Sequence, residues 1–102
     1  MTEEEVSLIY EYLHAHYEYR DGELIRKTKG CGFTLGKAMG RITYSDRKNS
    51  ADKMAAVSVN SKKYVKSVAR FILIFHKKPL AKFIKFIDGN PMNTNIENII
   101  SV

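Results

Sequence analysis

The chain has 102 residues, of which 44% are hydrophobic and 27% charged, with one cysteine and no tryptophan. This length indicates a single domain over residues 1–102, and the charged share is ordinary for a globular protein. No apolar run approaches the ~18 residues of a membrane span, the acidic residues 1–5 are unlike a basic signal peptide, and a lone Cys31 excludes an internal disulfide. The sequence therefore predicts a cytoplasmic protein with no membrane partner.

Charge is distributed unevenly along the chain. Residues 1–23 carry seven acidic side chains and one basic one, whereas residues 24–102 carry 16 basic and four acidic ones, for a net charge of +6. This separation predicts one surface that repels polyanions and another that attracts them. Charge alone leaves open a second interpretation, in which the lysines only keep the protein soluble.

The first 40 residues predict a helix followed by a small sheet. A helix is expected over residues 2–14, because Thr2 and Glu5 form a Thr-x-x-Glu capping box ahead of apolar residues at helical spacing. Residues 17–27 predict a β-hairpin that turns at Asp21-Gly22. The glycines at 30, 32, 36 and 40 match no phosphate-binding pattern, so they indicate turns and bends in the sheet.

The remainder alternates between extended and helical patterns. Strands are predicted at 41–44 and 55–59 around a polar loop at 45–53, with a turn at 60–63. Residues 64–77 predict a central helix that ends before Pro79, although their β-branched content leaves a strand open. A strand at 83–87 and a turn at 88–90 follow, and Thr94 with Glu97 is expected to cap one short helical turn. The predicted fold is α+β: an N-terminal helix, a small antiparallel sheet, a central helix and a truncated ββ turn at the C-terminus.

Residues 87–99 read Ile-Asp-Gly-Asn-Pro-Met-Asn-Thr-Asn-Ile-Glu-Asn-Ile. This run resembles the signature of phage-type HNH homing endonucleases, in which Asp-His-Ile-Asp-Gly-Asn precedes an Asn-Asn pair and an Asn-Leu pair. Upstream, Asp21-Gly22, Arg26-Lys27, the glycines and Pro79 stand in the family's order, so the resemblance covers most of the chain. It implies a ββα-metal-like C-terminus in which Asn98 braces the turn through backbone hydrogen bonds. The structural motif residues that it implies are Asp88, Gly89, Asn93 and Asn98.

The cleavage residues of the resembled family are missing from this sequence. Phe86 stands where the family has the His that acts as general base, and Lys85 stands where an Asp helps to hold the metal. The sequence also ends at Val102, before the family's last metal ligand, and residues 66–69 lack the His expected at the central helix. Phosphodiester hydrolysis needs a base for water and a cation for the transition state. We therefore expect no enzyme activity, no catalytic residue, and no metal or other cofactor.

The remaining candidate residues give weaker signals. His14 and His16 are interpreted as surface histidines, since no Cys or third His lies near them in sequence. His76 is expected near a helix C-terminus, where an imidazolium would interact favourably with the helix dipole. Cys31 has basic neighbours but no His partner, so it is not predicted to be a catalytic thiol.

Charge and resemblance together predict a catalytically inactive, HNH-derived protein that binds double-stranded DNA. A regulator or repressor encoded by a phage or mobile element, acting in the cytoplasm of a bacterial host cell, would fit. The candidate DNA contacts are ten basic residues: Arg26, Lys27, Lys29, Lys37, Arg41, Lys62, Lys63, Lys66, Arg70 and Lys85. The main alternative is a protein-binding inhibitor, an anti-defence or host-takeover factor that reuses the scaffold to dock on a host or phage protein. An active nuclease with displaced ligands, an RNA binder and a homodimer also stay open.

Overall fold

The computed structural model describes residues 2–29, 35–45, 50–80, 83–90 and 92–101, and for residues 41–45 and 50–52 it describes the backbone alone. Over these residues the chain has two α-helices and three small antiparallel sheets. This arrangement confirms the predicted α+β fold class. Cys31, Gly30 and Gly32 lie outside the described residues.

Helix α1 spans Glu3–His16, so it ends two residues beyond the predicted end at residue 14. The predicted capping box is present: Thr2 Oγ1 accepts from the Glu5 N–H at 3.2 Å, and the Glu5 carboxylate accepts from the Thr2 N–H at 3.1 Å. Ile9 and Leu13 lie on the buried face of the helix. The chain passes directly from α1 into the first strand, where the Tyr17 N–H bonds the Leu13 carbonyl.

The predicted β-hairpin is confirmed, with β1 at Tyr17–Arg20 and β2 at Glu23–Arg26. Asp21 and Gly22 have φ of 50° and 83°, the positive values of the two-residue turn that matches strand twist. A short later segment lies along the other side of β2, since Ala38 forms a bridge with Ile25. The hairpin is therefore widened by residues from the glycine-rich region.

The second sheet has the order β3-β4-β5, with β3 at Arg41–Ser45, β4 at Ser50–Val59 and β5 at Lys62–Ser67. Two predicted boundaries are wrong here. The loop expected at 45–53 is partly strand, because β4 pairs with β3 from Ser50 onward; residues 46–49 lie outside the described part of the chain. The turn expected at 60–63 is confined to Asn60 and Ser61, whose positive φ angles of 51° and 65° let the pairing continue up to the turn itself.

The predicted helix at 64–77 begins too early. Residues 64–67 complete β5, where Tyr64 lies opposite Val57, and helix α2 spans Val68–Phe75. Ser67 starts the helix, since its Oγ accepts from the Arg70 N–H at 3.3 Å. The composition of residues 64–67 is compatible with a helix or a strand, and pairing with β4 makes them a strand.

Helix α2 ends before Pro79, as predicted. The Lys77 N–H bonds the Ile74 carbonyl at 3.0 Å and the Lys78 N–H bonds the Leu73 carbonyl at 2.9 Å, with Lys77 at a φ of 55°. This pair of bonds is the Schellman closure, which satisfies carbonyls that the last helical turn leaves free. His76 is the C-cap residue, and its ring nitrogen Nδ1 lies 2.8 Å from the Ile72 carbonyl oxygen.

The chain finishes in a two-stranded ribbon, with β6 at Ile84–Phe86 and β7 at Ile99–Ser101. A 3₁₀ helix at Ile96–Asn98 leads directly into β7. Both α-helices and all three sheets contribute residues to one hydrophobic core, and six of the eight residues of α2 are buried in it. Gly40 has a φ of 98°, and a Cβ there would collide with Val68 at the start of α2.

Candidate nucleic-acid interface

The C-terminal motif forms a compact loop between β6 and β7. The Ile87 N–H bonds the Asn98 carbonyl at 2.8 Å, which continues the strand pairing past Phe86. The Gly89 N–H then bonds the Phe86 carbonyl at 2.9 Å, and Gly89 has a φ of 74°. A residue in this left-handed region is most easily a glycine. The conformation of this turn therefore explains the glycine at position 89.

Asn98 is buried beneath this loop and bonds three of its groups. Its side-chain oxygen accepts from the Asp88 N–H at 3.0 Å, and its amide donates to the Asp88 carboxylate and to the Asn93 carbonyl, both at 2.9 Å. The backbone bond expected for Asn98 is thus present. The four residues that the resemblance marks as structural, Asp88, Gly89, Asn93 and Asn98, lie together in one loop.

The carboxylate of Asp88 serves this loop as a hydrogen-bond acceptor. It accepts from the Asn93 side chain at 2.9 Å and from the Asn90 N–H at 2.8 Å, besides the Asn98 amide. These bonds, that from Asn93 foremost, lower the pKa of Asp88 because each of them favours the ionised carboxylate. Asp88 therefore organises the loop.

The β1–β2 hairpin supports the loop from the other side. The Thr94 hydroxyl donates to the Gly22 carbonyl at 2.6 Å, and the Tyr19 hydroxyl accepts from the Ile96 N–H at 2.9 Å. A Cβ on Gly22 would lie 2.9 Å from the Asn95 side chain, so glycine permits this approach. The prediction that Thr94 caps a helical turn is wrong, because its hydroxyl is engaged by the hairpin. Sequence spacing carries no signal for Tyr19 or Thr94, since their partners are more than 70 residues away.

The two positions that depart from the resembled signature have different surroundings. Phe86 is half-buried and packs against the core, whereas Lys85 points outward and is exposed. The histidine rings are engaged elsewhere: His14 Nε2 lies 2.8 Å from the Phe75 carbonyl oxygen, and His16 Nδ1 lies 2.7 Å from Thr28 Oγ1. Within the described residues no group of three His, Cys, Asp or Glu side chains is arranged to hold a metal ion.

Arg26 is not a DNA contact, contrary to the sequence prediction. It is only 5% exposed, its Nε donates to the Thr28 carbonyl at 2.9 Å, and a terminal nitrogen lies 3.2 Å from the Tyr12 hydroxyl. Its guanidinium also lies over the Tyr17 ring, 5.2 Å from the centroid. Alternation along β2 turns this side chain inward, and the aromatic rings of α1 and β1 accommodate its charge. Arg26 therefore stabilises the junction of helix and hairpin.

Lys62 is exposed and forms an ion pair with Glu5. Its ammonium donates to the Glu5 carboxylate at 2.8 Å, and the Tyr64 hydroxyl donates to the same oxygen at 2.6 Å. The hydrogen bond from Lys62, followed by that from Tyr64, lowers the pKa of Glu5 to about 2. The predicted DNA contact at Lys62 thus competes with its ion pair to Glu5.

The other predicted contacts fall into separate groups. Lys63 and Lys66 lie on β5, Arg70 on α2 and Lys85 on β6; Lys63 and Lys85 are exposed, whereas Lys66 and Arg70 are half-buried. Arg41 belongs to β3, and its side chain lies outside the described part of the structure. Lys63, Lys66, Arg70 and Lys85 therefore lie on elements other than the β1–β2 hairpin.

Lys27, Lys29 and Lys37 are brought together at the open end of the β1–β2 hairpin, and we call them the hairpin-end cluster. The Arg26 N–H bonds the Lys37 carbonyl at 3.0 Å, which sets the Lys37 segment beside the end of β2. The Lys27 N–H bonds the His16 carbonyl at 2.9 Å, which fixes the cluster at the C-terminal end of α1. All three lysines are exposed, and none forms an ion pair with a described residue.

His16, at the C-terminal end of α1, is affected by its burial and by the charges beside it. Burial lowers the pKa of His16, and the charges of Arg26 and Lys27 lower it further. The acidic residues of the first helical turn lie at the other end of α1, a 14-residue helix that is about 21 Å long. The hairpin-end cluster and the three glutamates of the first turn therefore lie at opposite ends of α1.

Comparison with protein-family models, curated proteins and solved structures finds no match for this chain. Among the helices of the described residues, none is both long enough and apolar enough to cross a membrane.

Proposed function

We propose that the protein binds double-stranded DNA without cutting it, on a scaffold derived from the HNH endonuclease fold. The observation that carries the proposal is the hairpin-end cluster. Three exposed lysines without ion pairs to described residues lie at one end of the molecule, at the opposite end of α1 from Glu3, Glu4 and Glu5. Such a surface binds phosphates by releasing their condensed counterions.

The cluster differs from the paired cations of the same protein. Arg20, Lys53 and Lys62 each form an ion pair, with Glu18, Glu23 and Glu5 respectively. A cation that already neighbours a carboxylate gains less from a phosphate, because the carboxylate repels that phosphate. The three lysines of the hairpin-end cluster, which form no ion pair with a described residue, are therefore the residues expected to contact DNA. Lysine contacts to phosphates set position and carry no base sequence, so the proposed binding mode is sequence-tolerant.

The HNH derivation is supported by the loop around Asn98, which has the bond from the Asp88 N–H that the resemblance implies. The absence of cleavage is supported by Phe86 and Lys85. A phenyl ring packed on the core cannot accept a proton from water, and an exposed ammonium repels a divalent cation from its surroundings. We expect no nicked plasmid above background with Mg²⁺ or Mn²⁺. Nicking that a substitution of Lys85 abolishes would contradict this part of the proposal.

The DNA-binding test compares two triple variants that remove the same charge. The first, Lys27→Gln with Lys29→Gln and Lys37→Gln, removes the hairpin-end cluster. The second, Arg20→Gln with Lys53→Gln and Lys62→Gln, removes three paired cations and serves as the matched control. Binding to a 20-base-pair duplex is followed by fluorescence anisotropy from low to physiological salt, after circular dichroism confirms that each variant is folded.

The expected result is a difference in salt dependence. Each phosphate contact contributes about 0.9 to the slope of log K against log salt, so the cluster variant should have a slope shallower by about 2 to 3. The control variant should keep nearly the natural slope. Equal losses in both variants would show that only net charge matters, and no duplex binding by the natural protein at low salt would overturn the proposal.

A further inference from the structure

The ribbon formed by β6 and β7 has an apolar residue set on each of its faces. Ile84, Phe86 and Ile99 pack against the core. On the other face Lys85 lies opposite Ile100, and the alternation of side chains along β6 puts Phe83 and Ile87 on the same side as Lys85. We call Phe83, Ile87 and Ile100 the outer ribbon patch.

The outer ribbon patch is exposed to an unusual degree for residues of this type. Phe83 is 61% exposed, Ile87 67% and Ile100 43%. An antiparallel ribbon with one face in water normally alternates apolar and polar residues, whereas an apolar set on both faces is typical of strands that are covered on both sides. The exposed area of the three side chains is on the order of 300 Å², the size at which surface patches are often functional.

A groove continues the patch around the edge of β7. It has a volume of about 400 Å³ and is lined by Leu73, Ile96, Ile99 and Ile100, with Lys78 and Glu97 at its margins. Ile100 belongs both to the groove and to the outer ribbon patch. The apolar surface therefore extends from the outer face of the ribbon to the C-terminal end of α2.

The charges around this surface indicate what occupies it. Lys85 lies between Phe83 and Ile87 in the chain, and Lys78 lies at the groove; both are exposed and neither forms an ion pair with a described residue. A two-fold symmetric contact centred on the patch would oppose two copies of Lys85, and the patch is smaller than the ~800 Å² per partner of a standard interface. These features disfavour a second copy of this chain.

A short amphipathic helix matches both the dimensions and the charge. A helix about 10 Å in diameter covers two strands that lie about 5 Å apart. Apolar residues at positions i and i+7 of such a helix are about 10 Å apart along its axis. Phe83 and Ile87 are four residues apart, which corresponds to roughly 13 Å on an extended chain, so the two spacings are similar. A carboxylate between them would meet Lys85. We propose that the outer ribbon patch docks an acidic amphipathic helix of a protein partner, independently of DNA binding.

The test uses defined synthetic helices as probes. One 16-residue peptide has leucine at positions 3, 7, 10 and 14 with glutamate beside them; a second replaces the glutamates by lysine, and a third scrambles the first. Binding to the full chain is measured by calorimetry and mapped by amide chemical-shift changes. We expect the acidic helix alone to bind, with shifts at residues 83–87 and 99–101.

Two variants and a matched control distinguish this surface from a generally adhesive one. Ile87→Thr with Ile100→Thr should weaken binding of the acidic helix by about tenfold or more, because two side chains that the bound helix would cover lose apolar area. Val65→Thr, at an apolar residue that is 53% exposed on β5, should leave the affinity for the acidic helix unchanged. Lys85→Glu should reverse the preference between the acidic and basic peptides.

Several outcomes would overturn the proposal. They are an acidic helix that fails to bind or that binds elsewhere, an unchanged preference in Lys85→Glu, and duplex DNA that shifts the patch resonances. Sedimentation showing a dimer that Ile87→Thr dissociates would assign the patch to a second copy of the chain and overturn it as well.

Discussion

Removing the Asn98 side chain tests the hydrogen-bonded loop most directly. Asn98 is 8% exposed and bonds the Asp88 N–H, the Asp88 carboxylate and the Asn93 carbonyl. Asn98→Ala removes all three bonds at once. Water can reach the Asp88 carboxylate, which lies on the exposed side of the loop, but the Asp88 N–H loses a part-buried partner.

The expected cost is obtained from these three bonds. Each hydrogen bond contributes about 1 kcal/mol net, and an unsatisfied buried group costs about 1–3 kcal/mol. With water replacing part of the lost bonding, Asn98→Ala should lower the free energy of unfolding by about 2 kcal/mol. In a domain of about 100 residues this corresponds to a fall of roughly 8–16 °C in Tm.

The assay is urea and thermal unfolding followed by circular dichroism, with two comparison variants. Asn90→Ala removes one exposed acceptor, which bonds the Met92 N–H at 3.1 Å, and should change stability by less than about 0.5 kcal/mol. Asn98→Asp keeps the side-chain volume but puts an oxygen in place of the amide that faces Asp88, so at pH 7 it should be as destabilising as alanine. A neutral effect of Asn98→Ala, or a fully stable Asn98→Asp, would refute the role of these bonds.

Three further predictions concern other parts of the fold. Gly40→Ala should destabilise the protein in urea unfolding by about 1–3 kcal/mol through the clash with Val68 and the positive φ, and by more than Gly36→Ala, where the added Cβ meets nothing. Because the pKa of Glu5 falls from 4.5 to about 2 on folding, the stability it contributes is complete above pH 4.5 and is lost as pH falls toward 2; Glu5→Gln should flatten thermal stability across that window, and Glu4→Gln should not. Arg26→Gln should lower stability by about 1–3 kcal/mol in urea unfolding yet leave the salt slope of duplex binding unchanged. A shallower slope would show that Arg26 contacts a phosphate.

The sequence by itself determined the elements whose signals are local. Thr2 and Glu5 define the start of α1, because both partners of a capping box lie within one helical turn. Asp21 and Gly22 define the hairpin, because the positive φ angles of that turn favour those residue types. The Asn98 bonds to the loop could also be expected, since motif residues only ten positions apart form them.

Strand boundaries depended on partners that spacing does not reveal. Ser50 begins β4 because β3 lies beside it, and Tyr64 belongs to a strand because Val57 lies opposite. The same apolar, β-branched residues fit a helix or a strand, and the neighbouring backbone decides between them. The sequence therefore predicted most elements in the correct order, but it missed β5 and shifted boundaries in the middle of the chain.

The site itself was decided mainly by tertiary structure. A charge count treats Arg26, Lys27 and Lys62 alike, but the fold buries the first among tyrosines, exposes the second and pairs the third with Glu5, 57 residues away. Burial and pairing arise from contacts between distant segments, so residue type predicts the sum of the charges and not the surface on which they act. The outer ribbon patch has the same origin, because only the pairing of β6 with β7 shows which of two apolar faces the core has left uncovered.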